Sequence, residues 1–114
     1  MTNLAGLPPL GLKPEREAED PERLRRIRQL PCCICEEYGM VQTSLTQAHH
    51  CIHGRYSGRK RPDSMVIPLC AEHHNFGMDH SEKVSLHRQP AEWKRLYGED
   101  VGWISWTEER LSND

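Results

Sequence analysis

Two short pairs of cysteine and histidine residues constrain the fold of this chain more than any other feature. The first is a C-x-x-C pair, Cys32 and Cys35, and the second is a C-x-x-H pair, Cys70 and His73, which begins 35 residues after Cys35. Two pairs with this spacing suit tetrahedral zinc, because each short turn directs two ligands at one point. The sequence therefore predicts a closed structural zinc site. Buried reduced thiols and a redox C-x-x-C pair are the alternatives, and Cys33 is a poorer substitute for Cys32.

The composition explains why the chain needs such a site. Only 36% of its 114 residues are hydrophobic and 6% are aromatic, and a single domain this small and polar usually needs a disulfide or a metal. The odd number of cysteines, five, disfavours a disulfide framework. No run approaches the roughly 20 apolar residues of a membrane span, and no secretory signal is visible. A cytoplasmic protein with reduced thiols is expected.

The order of turn and periodicity signals predicts an α+β domain over residues 19–114, preceded by a flexible tail over residues 1–18 that is rich in Pro and Gly. Asp20 as N-cap and Pro21 at the first helical position begin a helix with an arginine-rich face. The other predicted elements are a strand within 40–50, a second strand at 65–67, a short helix at 70–75 and a helix at 89–97 that Gly98 ends. For Trp103, Ile104 and Trp106, packing on the domain is favoured over a dimer contact.

The formal net charge of −2 conceals an uneven distribution. Residues 23–61 carry a net charge of +6, whereas residues 1–22 carry −3 and residues 62–114 carry −5. Binding to phosphate depends on the local field, so a near-neutral chain with a basic centre can still present a surface to nucleic acid. The alternative is a solvated arginine-rich helix followed by a basic loop.

Histidines are concentrated in the middle of the chain, where all seven lie between residues 49 and 87. His49 and His50 are adjacent at the end of a predicted strand, where alternation directs them to opposite sides. One can therefore bind a cation while its neighbour faces a water molecule. A cation and an imidazole base are the minimum for hydrolysing a phosphodiester. The density of histidines thus favours a second metal site or acid–base chemistry over ordinary surface residues.

These motifs, taken in order, resemble the HNH nucleases, whose ββα-metal fold is also called the His-Me finger. The resemblance covers roughly residues 30–98 and is greatest to the small phage nucleases of the recombination-enhancement (Ref) type, which depend on the RecA recombinase, and to their prophage relatives. The segments that carry it are Cys32 to Cys35, Ala48-His49-His50, Gly58 to Asp63, and Ile67 to His74. It implies a metal-dependent DNA endonuclease with an N-terminal helix, a β-hairpin, a metal-bearing helix and a C-terminal helix.

The resemblance also implies roles for individual residues. His50 matches the general base that activates water, and His49 and His74 match ligands of a catalytic Mg²⁺ or Mn²⁺ ion. His87 resembles a third ligand, although Phe76–Leu86 looks like an insertion, so His80 competes with it. The structural zinc is assigned to Cys32, Cys35, Cys70 and His73. The DNA backbone is assigned to Arg55, Arg59, Lys60 and Arg61, with the Arg23–Arg28 face as a weaker second contact.

One departure from the family pattern concerns the middle Asn, which orients the base histidine. Its position holds Met65 here, so Asp63, Ser64 or a backbone carbonyl is expected to hold His50 instead. Together with the apparent insertion, this departure supports a rival hypothesis, a zinc-stabilised DNA-binding module whose catalytic metal site has decayed. A third hypothesis is an accessory protein that acts only with a partner such as a recombinase filament.

Overall fold

The computed structural model describes residues 19–53, 61–75 and 83–112. The predicted tail over residues 1–18 lies outside this part of the chain. The elements in chain order are α1 (Pro21–Arg28), α2 (Cys33–Glu37), β1 (Thr46–His50), β2 (Val66–Cys70), α3 (Ala71–His74), α4 (Pro90–Tyr97) and α5 (Ile104–Ser112). Short 3₁₀ turns at Asp63–Met65 and Asp100–Trp103 precede β2 and α5. The protein is therefore a small α+β structure, as the sequence predicted.

The two strands form an antiparallel ribbon in which Thr46 pairs with Cys70 at one end and His50 pairs with Val66 at the other. Side chains alternate along a strand, so Gln47 and His49 face one side of the ribbon, whereas Ala48 and His50 face the other. The two adjacent histidines consequently have different surroundings.

Helix α1 packs on the side of the ribbon that Ala48 faces. The Asp20 Oδ1 atom accepts a hydrogen bond of 3.1 Å from the Arg23 amide, and Pro21 occupies the first turn, which confirms the predicted helix start. Ile27 is buried against Val66 of β2 and Leu111 of α5, with Ala48 at the edge of this small cluster. This apolar contact fixes the N-terminal helix against the ribbon.

A second and larger core contains the cysteines, Ile67 and Leu69 of β2, and Trp93, which is fully buried. Helix α4 ends at Gly98, whose φ of 83° lies in the left-handed region that favours glycine. The side chains of Trp103, Ile104 and Trp106 are partly buried against this core, so the predicted packing is confirmed. Among the described residues, none of the helices is long and apolar enough to cross a membrane.

Candidate metal centre

The four residues of the predicted zinc site come together in the core, each at most 2% exposed. Cys32 and Cys35 come from the start of α2, Cys70 ends β2, and His73 lies in α3. The His73 Nδ1 atom lies 3.5, 3.6 and 3.4 Å from the Sγ atoms of Cys32, Cys35 and Cys70, respectively. The Sγ atoms of Cys35 and Cys70 are 3.8 Å apart. We call this set the cysteine site.

These separations match the edges of a zinc tetrahedron. With Zn–S bonds of about 2.3 Å and a Zn–N bond of about 2.0–2.1 Å, neighbouring ligand atoms lie roughly 3.5–3.8 Å apart. A disulfide between Cys35 and Cys70 would instead need about 2.05 Å, and both thiols are free. The donor set, its burial and its spacing therefore all fit a closed structural zinc site.

The thiols of this region differ in their protonation. Hydrogen bonding with the Cys32 thiol and with His73 lowers the pKa of Cys70, which favours its thiolate, the form that binds metal. Burial raises the pKa of Cys33, and burial also raises the pKa of Cys51 to about 12. Cys33 lies outside both groups of potential metal ligands among the described residues, so Cys32 is the member of the pair that joins the site.

A second group of potential ligands, which we call the histidine site, contains His49, His74 and His87. One ring nitrogen of each lies within 4.8 Å of the others. The ring centroids of His49 and His74 are 4.9 Å apart, and those of His74 and His87 are 4.8 Å apart. His49 is buried whereas His87 is exposed. The histidine site is thus open on one side, unlike the cysteine site.

Hydrogen bonds orient two of these rings. The His49 Nε2 atom lies 2.9 Å from Oδ2 of Asp100, and the His74 Nδ1 atom lies 2.6 Å from Oε1 of Gln47. Each bond engages one ring nitrogen, so Nδ1 of His49 and Nε2 of His74 are the nitrogens that are left for an ion. Such outer partners are typical of metal-binding histidines, because they fix the tautomer and the ring orientation.

The protonation of the histidine site also suits metal binding. Burial, together with the neighbouring His49 and His87 rings, lowers the pKa of His74 to about 3, so this ring is neutral near pH 7. No carboxylate joins the three imidazoles within the described segments. Three imidazoles favour a first-row transition ion over Mg²⁺, which prefers oxygen ligands.

The two sites are joined through α3, which supplies one potential ligand to each. His73 belongs to the cysteine site and His74 to the histidine site. The amides of Leu86 and His87 donate hydrogen bonds of 2.9 and 3.0 Å to the carbonyls of His73 and His74, respectively. The position of His87 therefore depends on α3, and the position of α3 depends on the cysteine site.

On the opposite side of the ribbon, His50 meets a carboxylate. Its Nε2 atom lies 2.8 Å from Oδ1 of Asp63, the first residue of the 3₁₀ turn before β2. The other carboxylate oxygen of Asp63 accepts a hydrogen bond of 2.7 Å from the Asp20 amide, and the Asp63 carbonyl accepts one of 2.9 Å from Arg23 Nε. The start of α1 thus fixes Asp63, which in turn orients His50.

A family model described as "Protein of unknown function (DUF968)" matches residues 12–110, most of the chain. The chain belongs to the DUF968 family. Neither the curated proteins nor the solved structures give a significant match. The family description states no activity.

The basic residues assigned to DNA are only partly described in this DUF968 chain. Arg55, Arg59 and Lys60 lie outside the described residues, as does His80, the alternative third ligand. The Arg61 Nη2 atom donates a hydrogen bond of 2.7 Å to the His53 carbonyl, so residues 53 and 61 are in direct contact.

On α1, two of the arginines assigned a weaker DNA contact serve the fold. Arg23 forms an ion pair with Glu108 besides its bonds to the 3₁₀ turn, and Arg26 donates to the Leu111 carbonyl. Both side chains therefore hold α1 against its neighbours.

Sequence reasoning missed two residues that contact the histidine site. Asp100 is separated from His49 by 51 residues and Gln47 from His74 by 27, so no local spacing indicated either pairing. A signal was present only for Gln47, because it alternates with His49 along a strand and therefore shares its side of the ribbon. Asp100 stands between two elements and carried no periodic signal.

Proposed function

We propose that this DUF968 protein is a metal-dependent endonuclease that hydrolyses phosphodiester bonds of DNA, with little sequence specificity of its own. The observation that supports it best is the pair of adjacent histidines at the end of β1. A candidate ligand of an open metal site, His49, is followed directly by His50, an imidazole that a carboxylate holds on the other side of the ribbon. These are the two groups that phosphodiester hydrolysis needs.

The chain order supports the finer proposal of a ββα-metal fold. The antiparallel strands β1 and β2 are followed at once by α3, which carries His74, and β1 ends in His49 and His50. The cysteine site lies beside this unit and supplies the rigidity that the small core lacks. The proposed HNH relationship rests on this order and on the residues quoted for the resemblance.

In the proposed reaction His50 acts as the general base. Its Nε2 atom is engaged by Asp63, so Nδ1 is the nitrogen that takes a proton from the attacking water. The carboxylate stabilises the imidazolium that results, and its fixed position keeps the ring oriented. When bound at the histidine site, the ion would stabilise the charge that develops on the phosphate and on the departing 3′ oxygen. Arg55, Arg59, Lys60 and Arg61 are proposed to hold the DNA backbone.

The rival proposal, a DNA-binding module without catalysis, loses part of its support. It rested on the apparent insertion and on the missing Asn, which would orient the base histidine. Asp63 lies 2.8 Å from His50 Nε2 and can orient this ring in place of the Asn. A recombinase filament remains a proposed partner, because the proposed low sequence specificity would require another source of targeting.

A plasmid assay tests the proposal. Supercoiled DNA is incubated with the purified protein and Mn²⁺, Mg²⁺, Co²⁺ or Zn²⁺, with and without a recombinase filament. We expect nicking or cutting that needs an added ion and is lost in His50→Ala, although this variant still binds DNA. If wild-type protein binds DNA but never cuts it under any of these conditions, the rival proposal is correct.

A further inference from the structure

Asp100 is a fully buried carboxylate that neither the zinc pattern nor the proposed chemistry uses directly. We infer that Asp100 is a positioning residue, which sets the affinity of the histidine site for its ion by holding His49. This inference rests on the ion-binding part of the proposed function and not on DNA cleavage.

Three donors surround the Asp100 carboxylate. Its Oδ2 atom lies 2.9 Å from His49 Nε2 and 2.6 Å from the Ile52 amide, and its Oδ1 atom lies 3.1 Å from the His53 amide. The group is therefore a buried carboxylate anion, which requires such partners.

The neighbouring His53 ring cannot replace His49 as the imidazole donor. The Asp100 amide donates a hydrogen bond of 2.8 Å to His53 Nδ1, so this nitrogen carries no proton of its own. His49 is thus the imidazole that donates to the carboxylate, and its proton lies on Nε2. The lone pair of its Nδ1 atom is left for an ion.

This arrangement has two physical consequences for the ion. It prevents the tautomer in which the proton would occupy the coordinating nitrogen, and the negative charge makes the imidazole a stronger ligand. Loss of such an outer partner typically weakens metal binding by about 10- to 100-fold. Asp100 begins the 3₁₀ turn that joins α4 to α5, so the C-terminal segment supports an ion site that lies on β1 and α3.

The test compares two isosteric variants that remove one carboxylate each. Asp100→Asn alters the partner of His49, whereas Asp63→Asn alters the partner of His50. Zn²⁺ is titrated by calorimetry into protein whose cysteine site is already loaded, and one retained zinc per chain serves as the check of folding. We expect Asp100→Asn to weaken the second binding event by about 10- to 100-fold, and Asp63→Asn to change it less than twofold.

A double-mutant cycle separates positioning from general damage. If Asp100 acts through His49, then Asp100→Asn has no further effect on the weaker ion binding of His49→Ala. A further loss in that background, or equal affinity of Asp100→Asn and wild type, overturns the inference while leaving the ion site intact. Absence of a second binding event in wild type overturns both the inference and the ion site. If the ion affinities of the variants are as expected but the wild-type protein does not cut DNA, only the proposed reaction is overturned.

A measurement on the unaltered protein covers the case in which Asp100→Asn does not fold. In ¹⁵N-histidine NMR spectra of the zinc-loaded chain, His49 should be protonated at Nε2, and added Zn²⁺ should shift its Nδ1 resonance. Protonation at Nδ1, or a shift of Nε2 instead, contradicts the inference.

Discussion

His50 Nε2 and Asp63 Oδ1 lie 2.8 Å apart, across the interface between the end of β1 and the turn that precedes β2. The carboxylate is fixed by the start of α1, whose Asp20 amide donates to its other oxygen. The start of the arginine-rich helix therefore contributes to the proposed base by holding Asp63.

Replacement of Asp63 should slow DNA cleavage without weakening the ion. Asp63→Asn keeps an oxygen acceptor but removes the charge that stabilises a protonated His50, so we expect cleavage to fall by roughly 10- to 100-fold, part of the contribution of a general base. Single-turnover cleavage of plasmid at saturating Mn²⁺ measures this loss. Ser64→Ala, at the next position, is the matched control and should cleave at the wild-type rate. Wild-type cleavage by Asp63→Asn would show that the pairing with His50 is structural only.

Removal of a cysteine ligand should unfold the domain. Cys35→Ser replaces a buried ligand of the cysteine site, so we expect loss of zinc and of the cooperative thermal transition, because metal binding is coupled to folding. The neighbouring Cys33→Ala is the control: Cys33 is equally buried but belongs to neither group of ligands, so zinc should stay bound and stability should fall by only about 1 kcal/mol. Zinc content and circular dichroism decide the matter. A folded Cys35→Ser protein that retains zinc would contradict the assignment.

Chelation should expose the thiols together. Cys33 and Cys51 are buried with raised pKa values, so neither should react with a thiol reagent at pH 7 in the zinc-loaded protein. Once a strong chelator removes the zinc, we expect all five cysteines to become reactive at one common rate, set by unfolding. Separate rates for Cys33 and Cys51 would show that the core survives without zinc.

Stability should decrease in mild acid because of His74. Its pKa is about 3 in the folded protein and about 6.5 when unfolded, so the unfolded chain binds an additional proton as the pH falls below 6.5. The stability that this neutral ring contributes is complete above pH 6.5 and is lost as the pH falls towards 3. We expect wild type to lose about 1 kcal/mol more than His74→Gln between pH 6.5 and 5, a figure reduced for the partial exposure of the ring. Urea unfolding at the two pH values measures this, and equal losses in both proteins would refute it.

The basic residues 55–60 should control the salt dependence of DNA binding. Each phosphate contact contributes about one unit to the slope of log affinity against log salt concentration. Arg59→Ala combined with Lys60→Ala should therefore reduce the slope by about two units. Lys94→Ala, which removes an exposed lysine paired with Glu99, should leave it unchanged. An unaltered slope in the double variant would remove these residues from the DNA contact.

The sequence predicted those features whose signals are local. The cap at Asp20, the strand that ends in His50 and the C-x-x-C and C-x-x-H spacings each lie within a few residues, and the structure contains all of them. The sequence left three candidates for the group that holds His50: the Asp63 carboxylate, the Ser64 hydroxyl and a backbone carbonyl. The structure pairs His50 with Asp63, a choice that depends on how the turn before β2 folds.

The remaining features had no clear local signal in the sequence, and they were not predicted. Helix α2 has five residues, too few for a hydrophobic period, and its buried residues are the consecutive Cys33, Ile34 and Cys35. Helix α5 was not predicted, since its two buried residues, Thr107 and Leu111, give only one spacing. The pairing of Asp100 with His49 joins segments that are distant in the chain.

We propose that α3 joins two different ion sites, a closed site with cysteine ligands and an open site with histidine ligands. A count of ions per chain tests it most directly, by equilibrium dialysis against Zn²⁺ followed by elemental analysis of wild type and His74→Ala. We expect two ions per chain in wild type and one in the variant, with the remaining zinc resistant to a weak chelator. One ion in both proteins would contradict it.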